Sequence, residues 1–140
     1  MSDCIFCDIT AGKAAASLVY QDDLCTAFLD IQPVNTGHLL VVPNDHASYL
    51  ADLPEDTGAH LFRIAQRLAA ALRGSSLPCE GVNSFLADGE AAMQEVFHVH
   101  LHVFPRYPGD GFGLTFGPHY ANKPDRRTLD QTAEQIKALL

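Results

Sequence analysis

Residues 98–104 read His-Val-His-Leu-His-Val-Phe, and no other stretch limits the chain as tightly. In an extended strand, successive side chains point to opposite faces. His98, His100 and His102 then share one face, and Val99, Leu101 and Val103 share the other. The apolar face calls for a core. The imidazole face calls for a use, because a solvated face is met as well by simpler polar residues. A plain polar face that happens to be histidine is one reading, but the chain has only 7 histidines in 140 residues, which makes three at perfect alternation hard to assign to chance. A metal site built from all three is a second reading. Same-face residues lie about 6.5–7 Å apart, so the strand must bend before three rings meet one ion. Nucleophilic catalysis is the third, and it needs no bending. A neutral imidazole is a good nucleophile near pH 7 and forms covalent intermediates, while its neighbours donate to charged oxygens.

The rest of the chain supplies a scaffold for such a strand. Leu18-Val19-Tyr20, a turn at residues 21–23 and an apolar run at residues 24–29 read as a hairpin. Residues 39–42, Leu-Leu-Val-Val between Gly37 and Pro43, suit a central strand buried on both faces. Residues 52–73 are the best helix, with Asp52 as cap, Pro54 in its first turn and Gly74 just past its end. Its Leu61, Ile64, Ala65, Leu68 and Leu72 recur at helical spacing. Residues 81–87 and 98–105 are two further strands, and residues 109–125 a Gly- and Pro-rich loop. Thr128 is placed to cap a last helix whose Leu129, Ala133, Ile136 and Leu140 form one stripe. Strands joined mostly without crossover helices argue for an antiparallel α+β domain. The length suits one domain over residues 1–140, with 47% hydrophobic and 19% charged residues.

The formal net charge of −8 argues against a nucleic-acid partner, since affinity for that polymer rests on Lys and Arg neutralising phosphates. A small phosphate ligand is not excluded, because a few local donors suffice. No apolar run approaches the roughly 20 residues needed to cross a bilayer, so no membrane partner is expected. Residues 1–7 lack the basic-then-apolar pattern of a secretory signal, and a cytoplasmic location is the expectation. Reduced thiols are expected there, and Cys25 and Cys79 read as packing residues.

His-x-His-x-His followed by two apolar residues resembles the signature of the histidine-triad (HIT) superfamily. Phe28-Leu29-Asp30-Ile31, residues 37–43 (Gly-His-Leu-Leu-Val-Val-Pro), Asp88-Gly89, Gln94 and Pro105-Arg106 look like family positions in the right order. The resemblance covers roughly residues 4–112. It implies a HIT-like fold, a five-stranded antiparallel sheet with flanking helices. It also implies an enzyme, a nucleotide hydrolase or transferase with His100 as the nucleophile that forms a nucleotidyl-histidine intermediate. His102 is then the phosphate contact, His38 supports the triad from the neighbouring strand, and Gln94 lies beside the phosphates. Phe28, Asp30 and Ile31 hold the nucleoside, with Asp30 on the ribose hydroxyls. On the residues alone, the alternative for Asp30 is a turn-initiating residue before Pro33, and for Gln94 an ordinary polar loop residue. Family members commonly form homodimers through the long helix and an edge strand, and a homodimer is the expectation.

Cys4-Ile5-Phe6-Cys7 has the spacing of two ligands on one zinc ion; a redox pair and two buried thiols are the other readings. In a branch of the HIT family that this chain resembles, such a pair binds zinc with two histidines, which here are His46 and His98. Cys4, Cys7, His46 and His98 would form a closed structural site, with no open position for a catalytic water. Arg106 suits a polyphosphate tail or a solvated strand end. Mg²⁺ is the ion that a polyphosphate substrate would bring. The chain departs from the family pattern at Ala87, Met93 and Glu95, where members often carry Asn or Gln, Gly, and Ser or Thr. These departures leave the leaving group open: a hydrolase of dinucleoside polyphosphates or similar conjugates, a phosphoramidase, or a nucleotidyltransferase. From another class, a zinc-stabilised nucleotide-binding scaffold also fits. His60 and His119 receive no role, and residues 109–113 read as a lid or edge, not a P-loop.

Overall fold

The computed structural model describes residues 3–140. They divide into two compact units: residues up to Asp110, and Gly111–Leu140. The sheet and the triad lie in the first unit. It contains helix α1 (Ile5–Thr10), strands β1 (Leu18–Gln21), β2 (Cys25–Leu29) and β3 (Leu39–Pro43), helix α2 (Glu55–Gly74), and strands β4 (Gly81–Leu86) and β5 (Leu101–Arg106). Short 3₁₀ turns occupy Leu50–Asp52 and Glu90–Ala92. The second unit carries helix α3 (Arg126–Lys137).

The sheet has five strands in the order β1-β2-β3-β5-β4, and every neighbouring pair is antiparallel. Strand alternation divides its apolar residues between two faces. Ala27, Leu39, Val41, Leu101 and Val103 pack with Leu61, Ile64, Ala65, Leu68 and Leu72 of α2. Phe28, Leu40 and Val42 face the other way and pack with Phe6 and Ile9 of α1. The long helix therefore covers one face, and a two-turn helix covers only part of the other. The turn into β3 is held by Gly37 at φ +100°; a Cβ there would stand 2.9 Å from Leu77 Cδ1 and 3.2 Å from Leu72 Cδ2.

Several local expectations are corrected. Asp52 lies in a 3₁₀ turn, and α2 starts at Glu55 behind Pro54, which fixes the backbone but brings no capping oxygen. Gly74 is the last helical residue of α2, not the one that follows it. Asp125, not Thr128, caps α3: its carboxylate accepts from the Thr128 amide at 2.8 Å. The stripe residues Leu129, Ile136 and Leu140 are exposed. The strand expected over residues 98–105 begins only at Leu101. Its ladder to β3 runs as far as Val41↔Leu101, and β3 ends at Pro43, which has no amide hydrogen to continue it. Beyond that point the Val99 amide donates to Ala47 O at 2.8 Å, so the extended path persists without a formal strand.

Candidate active site

Strand alternation holds through the triad. Val99, Leu101 and Val103 are buried in the α2-side core. His100 and His102 point to the opposite face, with ring centroids 4.9 Å apart. Strand β3 brings His38 alongside, because Leu39 pairs with Val103 and Leu40 with His102. Strand β4 pairs Phe85 with His102, and the two rings stack at 4.4 Å and 17°. Sequence reasoning missed Phe85; its signal was the β4–β5 register, which a single chain does not reveal.

The hydrogen bonds fix the protonation of each ring. The His98 carbonyl can only accept, so His100 donates from Nδ1 to it at 2.8 Å. A neutral His100 then carries its lone pair on Nε2. The Val34 amide donates to His38 Nδ1 at 3.0 Å, which leaves the His38 hydrogen on Nε2. That hydrogen is donated to His102 Nδ1 at 2.9 Å, so His102 keeps its own hydrogen on Nε2. One imidazole thus has a free electron pair, and the next has a free donor. Burial pushes His102 down to about 4, with the charges of His100 and His38 acting in the same direction. Burial also lowers His38, against the opposing pull of Asp30. At neutral pH both rings are uncharged, which keeps this chain of donors intact.

Beside the triad lies a cavity of about 390 Å³. Phe6, Ile9, Phe28 and Leu40 give it an apolar wall suited to a flat base, and His100 and His102 line it. Asp30 and the fully exposed Ile31 stand on its margin. Asp30 Oδ1 accepts from the Gln32 amide at 2.9 Å, the turn expected of it, and its Oδ2 lies 3.7 Å from His38 Nε2. Sequence reasoning missed the contribution of α1 to this wall, because a six-residue helix carries too little periodicity to be read from sequence.

Two expected site residues lie elsewhere. Gln94 is buried, and its amide is committed to backbone: Oε1 accepts from Gly89 N at 2.8 Å, and Nε2 donates to Ser48 O at 2.7 Å and Val96 O at 3.1 Å. It braces the loop that leads into the triad and does not line the cavity. Arg106 is held by Asp110, with bonds of 2.6 Å and 3.0 Å, and donates to Asn83 at 2.7 Å. It too is absent from the cavity wall. Met93, where the family pattern suggests glycine, sits at φ +67°, a left-handed conformation that costs a non-glycine residue about 1 kcal/mol or more.

Cys4, Cys7, His46 and His98 converge: one ligand atom from each lies within 4.8 Å of all the others. His98 Nδ1 is 3.4 Å from Cys4 Sγ and 3.5 Å from Cys7 Sγ, and His46 Nδ1 is 3.4 Å from Cys7 Sγ. His98 donates from Nε2 to Pro43 O at 2.8 Å, so its lone pair faces the sulfurs. Metal-bound histidines are oriented in this way. Burial, followed by the adjacent Cys4 thiol, pushes the Cys7 thiol up to about 11, so it takes a dication to draw out the thiolate. Two sulfurs and two imidazole nitrogens at these separations fit a tetrahedral zinc ion. Elsewhere, Cys25 is fully buried in the core and pushed up to about 12, chiefly by that burial. His60 contacts Asp22 at 2.6 Å and ties α2 to the β1–β2 turn.

An imidazole pair on an antiparallel sheet, with fixed tautomers and a nucleotide-sized cavity beside it, defines a histidine-triad protein. The family model for the HIT domain matches residues 11–109, and the chain belongs to the HIT family. A HIT family protein from Bacillus subtilis superposes with a TM-score of 0.90 at 35% identity, over 99% of this chain and 98% of that one. A zinc-bound histidine triad protein from Mycobacterium smegmatis superposes at 0.77 with 39% identity, over 99% and 98%. The adenosine 5′-monophosphoramidase of Schizosaccharomyces pombe is 34% identical over 137 residues, covering 97% of this chain and 92% of that protein.

Proposed function

We propose that this chain is a nucleotide hydrolase that cleaves nucleoside 5′-phosphate conjugates at the α-phosphorus through His100. The observation that carries this reading is the 2.8 Å bond from His100 Nδ1 to the His98 carbonyl, which leaves Nε2 with its electron pair at the cavity wall. Nε2 attacks phosphorus and forms the P–N bond. The bond from phosphorus to the leaving atom breaks, and that atom keeps the electron pair and takes a proton from water. The Nε2–H of His102 donates to the charged phosphate oxygens, whose negative charge concentrates in the transition state. A water molecule then attacks phosphorus, the pair returns to His100 Nε2, and the water's proton leaves to solvent. The apolar wall would hold the base, and Asp30 would accept from the ribose hydroxyls.

Cys4, Cys7, His46 and His98 would hold a structural zinc ion, which would tie the N-terminal helix to the entry of the triad strand. No helix among the described residues is long and apolar enough to cross a membrane, and we place the protein in the cytoplasm, where paired thiols stay available to metal. We also propose a homodimer. The half-exposed Phe62 stands on α2 beside edge strand β4, in a groove shared with Ala59, Ala69 and Ser84. Light scattering at micromolar concentration checks this, and a monomer would contradict it. The name of the Schizosaccharomyces pombe relative favours an amine as leaving group. The test of the hydrolase reading is release of nucleoside monophosphate from a panel: a dinucleoside polyphosphate, a nucleoside phosphoramidate, and a nucleoside diphosphate sugar with phosphate. Turnover lost in His100→Ala supports the reading. Nucleotide binding without turnover of any of them supports a scaffold instead.

A further inference from the structure

We propose that Glu95 selects the leaving group, turning away anionic tails and favouring a leaving group that carries positive charge. The proposal rests on the hydrolase reading of the same site. The charged side chains lining the cavity are the carboxylates of Asp30 and Glu95, and no lysine or arginine is among its lining residues. The cation that sequence offers for a polyphosphate, Arg106, is spent on Asp110 and Asn83. The two carboxylates also differ in commitment. Asp30 holds its own turn and lies beside His38. Glu95 is exposed, and no hydrogen bond or ion pair engages its side chain among the described residues.

A nucleoside monophosphate brings one phosphate, which the donor of His102 can meet. Each additional phosphate of a polyphosphate tail adds negative charge without a cation to receive it. Glu95 lines this cavity, and its charge acts on any phosphate held within a Debye length, about 8–10 Å. The formal net charge of −8 acts in the same direction during encounter. A protonated amine borne by the leaving group reverses both signs. The substrate class that matches this wall is therefore a nucleoside 5′-phosphoramidate whose amine carries a second, cationic group.

Two conjugates isolate the effect, because they share the nucleoside and the scissile P–N bond. One joins adenosine 5′-phosphate to 1,2-diaminoethane, which leaves a free ammonium. The other joins it to glycine, which leaves a free carboxylate. We expect the wild-type protein to favour the first in kcat/KM, and Glu95→Gln to cut that ratio about tenfold, the size of one charge–charge interaction at an intermediate dielectric. Glu95→Asp should retain most of the preference, and added salt should erode it. Equilibrium binding of ATP relative to AMP, without divalent cations, is an independent measure; Glu95→Gln should narrow that gap to a similar degree. If neither conjugate turns over yet the binding gap narrows, selection by Glu95 stands and the hydrolase reading falls. If turnover occurs with the same conjugate ratio in wild type and Glu95→Gln, the proposal is overturned. If there is no turnover and the binding gap is also unchanged, it is overturned as well.

Discussion

His38 donates its Nε2 hydrogen to Nδ1 of His102 across 2.9 Å, and the Val34 amide behind it allows no other tautomer. The orientation of His102, the proposed phosphate donor, is therefore set through His38 by a backbone amide. Removing His38 leaves His102 free to swap tautomers and turn. His38→Ala should lower kcat about tenfold, in keeping with the loss of one orienting hydrogen bond. His102→Ala removes the donor itself and should cost about 100-fold. Steady-state kinetics on a single conjugate separates the two, and equal losses would contradict this ordering.

The two uncharged rings also predict an acid limb. A histidine whose folded value is lowered binds fewer protons folded than unfolded. Its unfolded form protonates first, so stability falls as pH drops below about 6.5 and levels off near 4, where His102 itself protonates. Urea titrations between pH 7 and pH 4 should show this slope, and His102→Asn should reduce it. A slope unchanged in His102→Asn would contradict the burial of a neutral ring at this position.

The Cys2His2 cluster predicts one zinc per chain in protein purified without chelator. Elemental analysis measures the content, and X-ray absorption should report two sulfur ligands at about 2.3 Å and two nitrogens near 2.0–2.1 Å. Cys7→Ser should lose the metal and lower the melting temperature by several degrees. Metal-free protein with unaltered stability would argue for a simple thiol pair.

The sequence pattern on the triad strand, together with the family resemblance, carried most of the site. The strands, the long helix and the Cys4-Cys7 pair were legible because each has a spacing rule behind it, whereas His46 and His98 were named as partners of that pair only through the family resemblance. What escaped depends on partners far away in sequence. Phe85 reaches His102 only through the β4–β5 register, and α1 forms part of the cavity wall only because Phe6 packs on Phe28, with ring centroids 5.5 Å apart. Gln94 and Arg106 sit at matching positions, yet their side chains turn to Gly89 and Asp110. A motif gives position along the chain and leaves the direction of a long, flexible side chain undetermined.

Arg106 makes that difference measurable. Asp110 is almost wholly buried and receives both the guanidinium and the Asn35 amide, the latter at 2.8 Å. Arg106→Ala takes the guanidinium from a buried carboxylate and should lower the melting temperature, while KM for nucleotide substrates changes less than about twofold. A large rise in KM with little loss of stability would return Arg106 to the substrate.

The central claim is that His100 Nε2 becomes bonded to phosphorus. Its most direct test is to mix enzyme and a conjugate, stop the reaction under alkaline denaturing conditions that preserve a phosphorus–nitrogen bond, and map the modified peptide by mass spectrometry. The account predicts one nucleoside monophosphate on His100 and none on His98 or His102. It also predicts that His100→Ala lacks the adduct and has lost at least about 10³-fold in kcat. Turnover that proceeds in His100→Ala at a comparable rate, or an adduct carried by another residue, would contradict it.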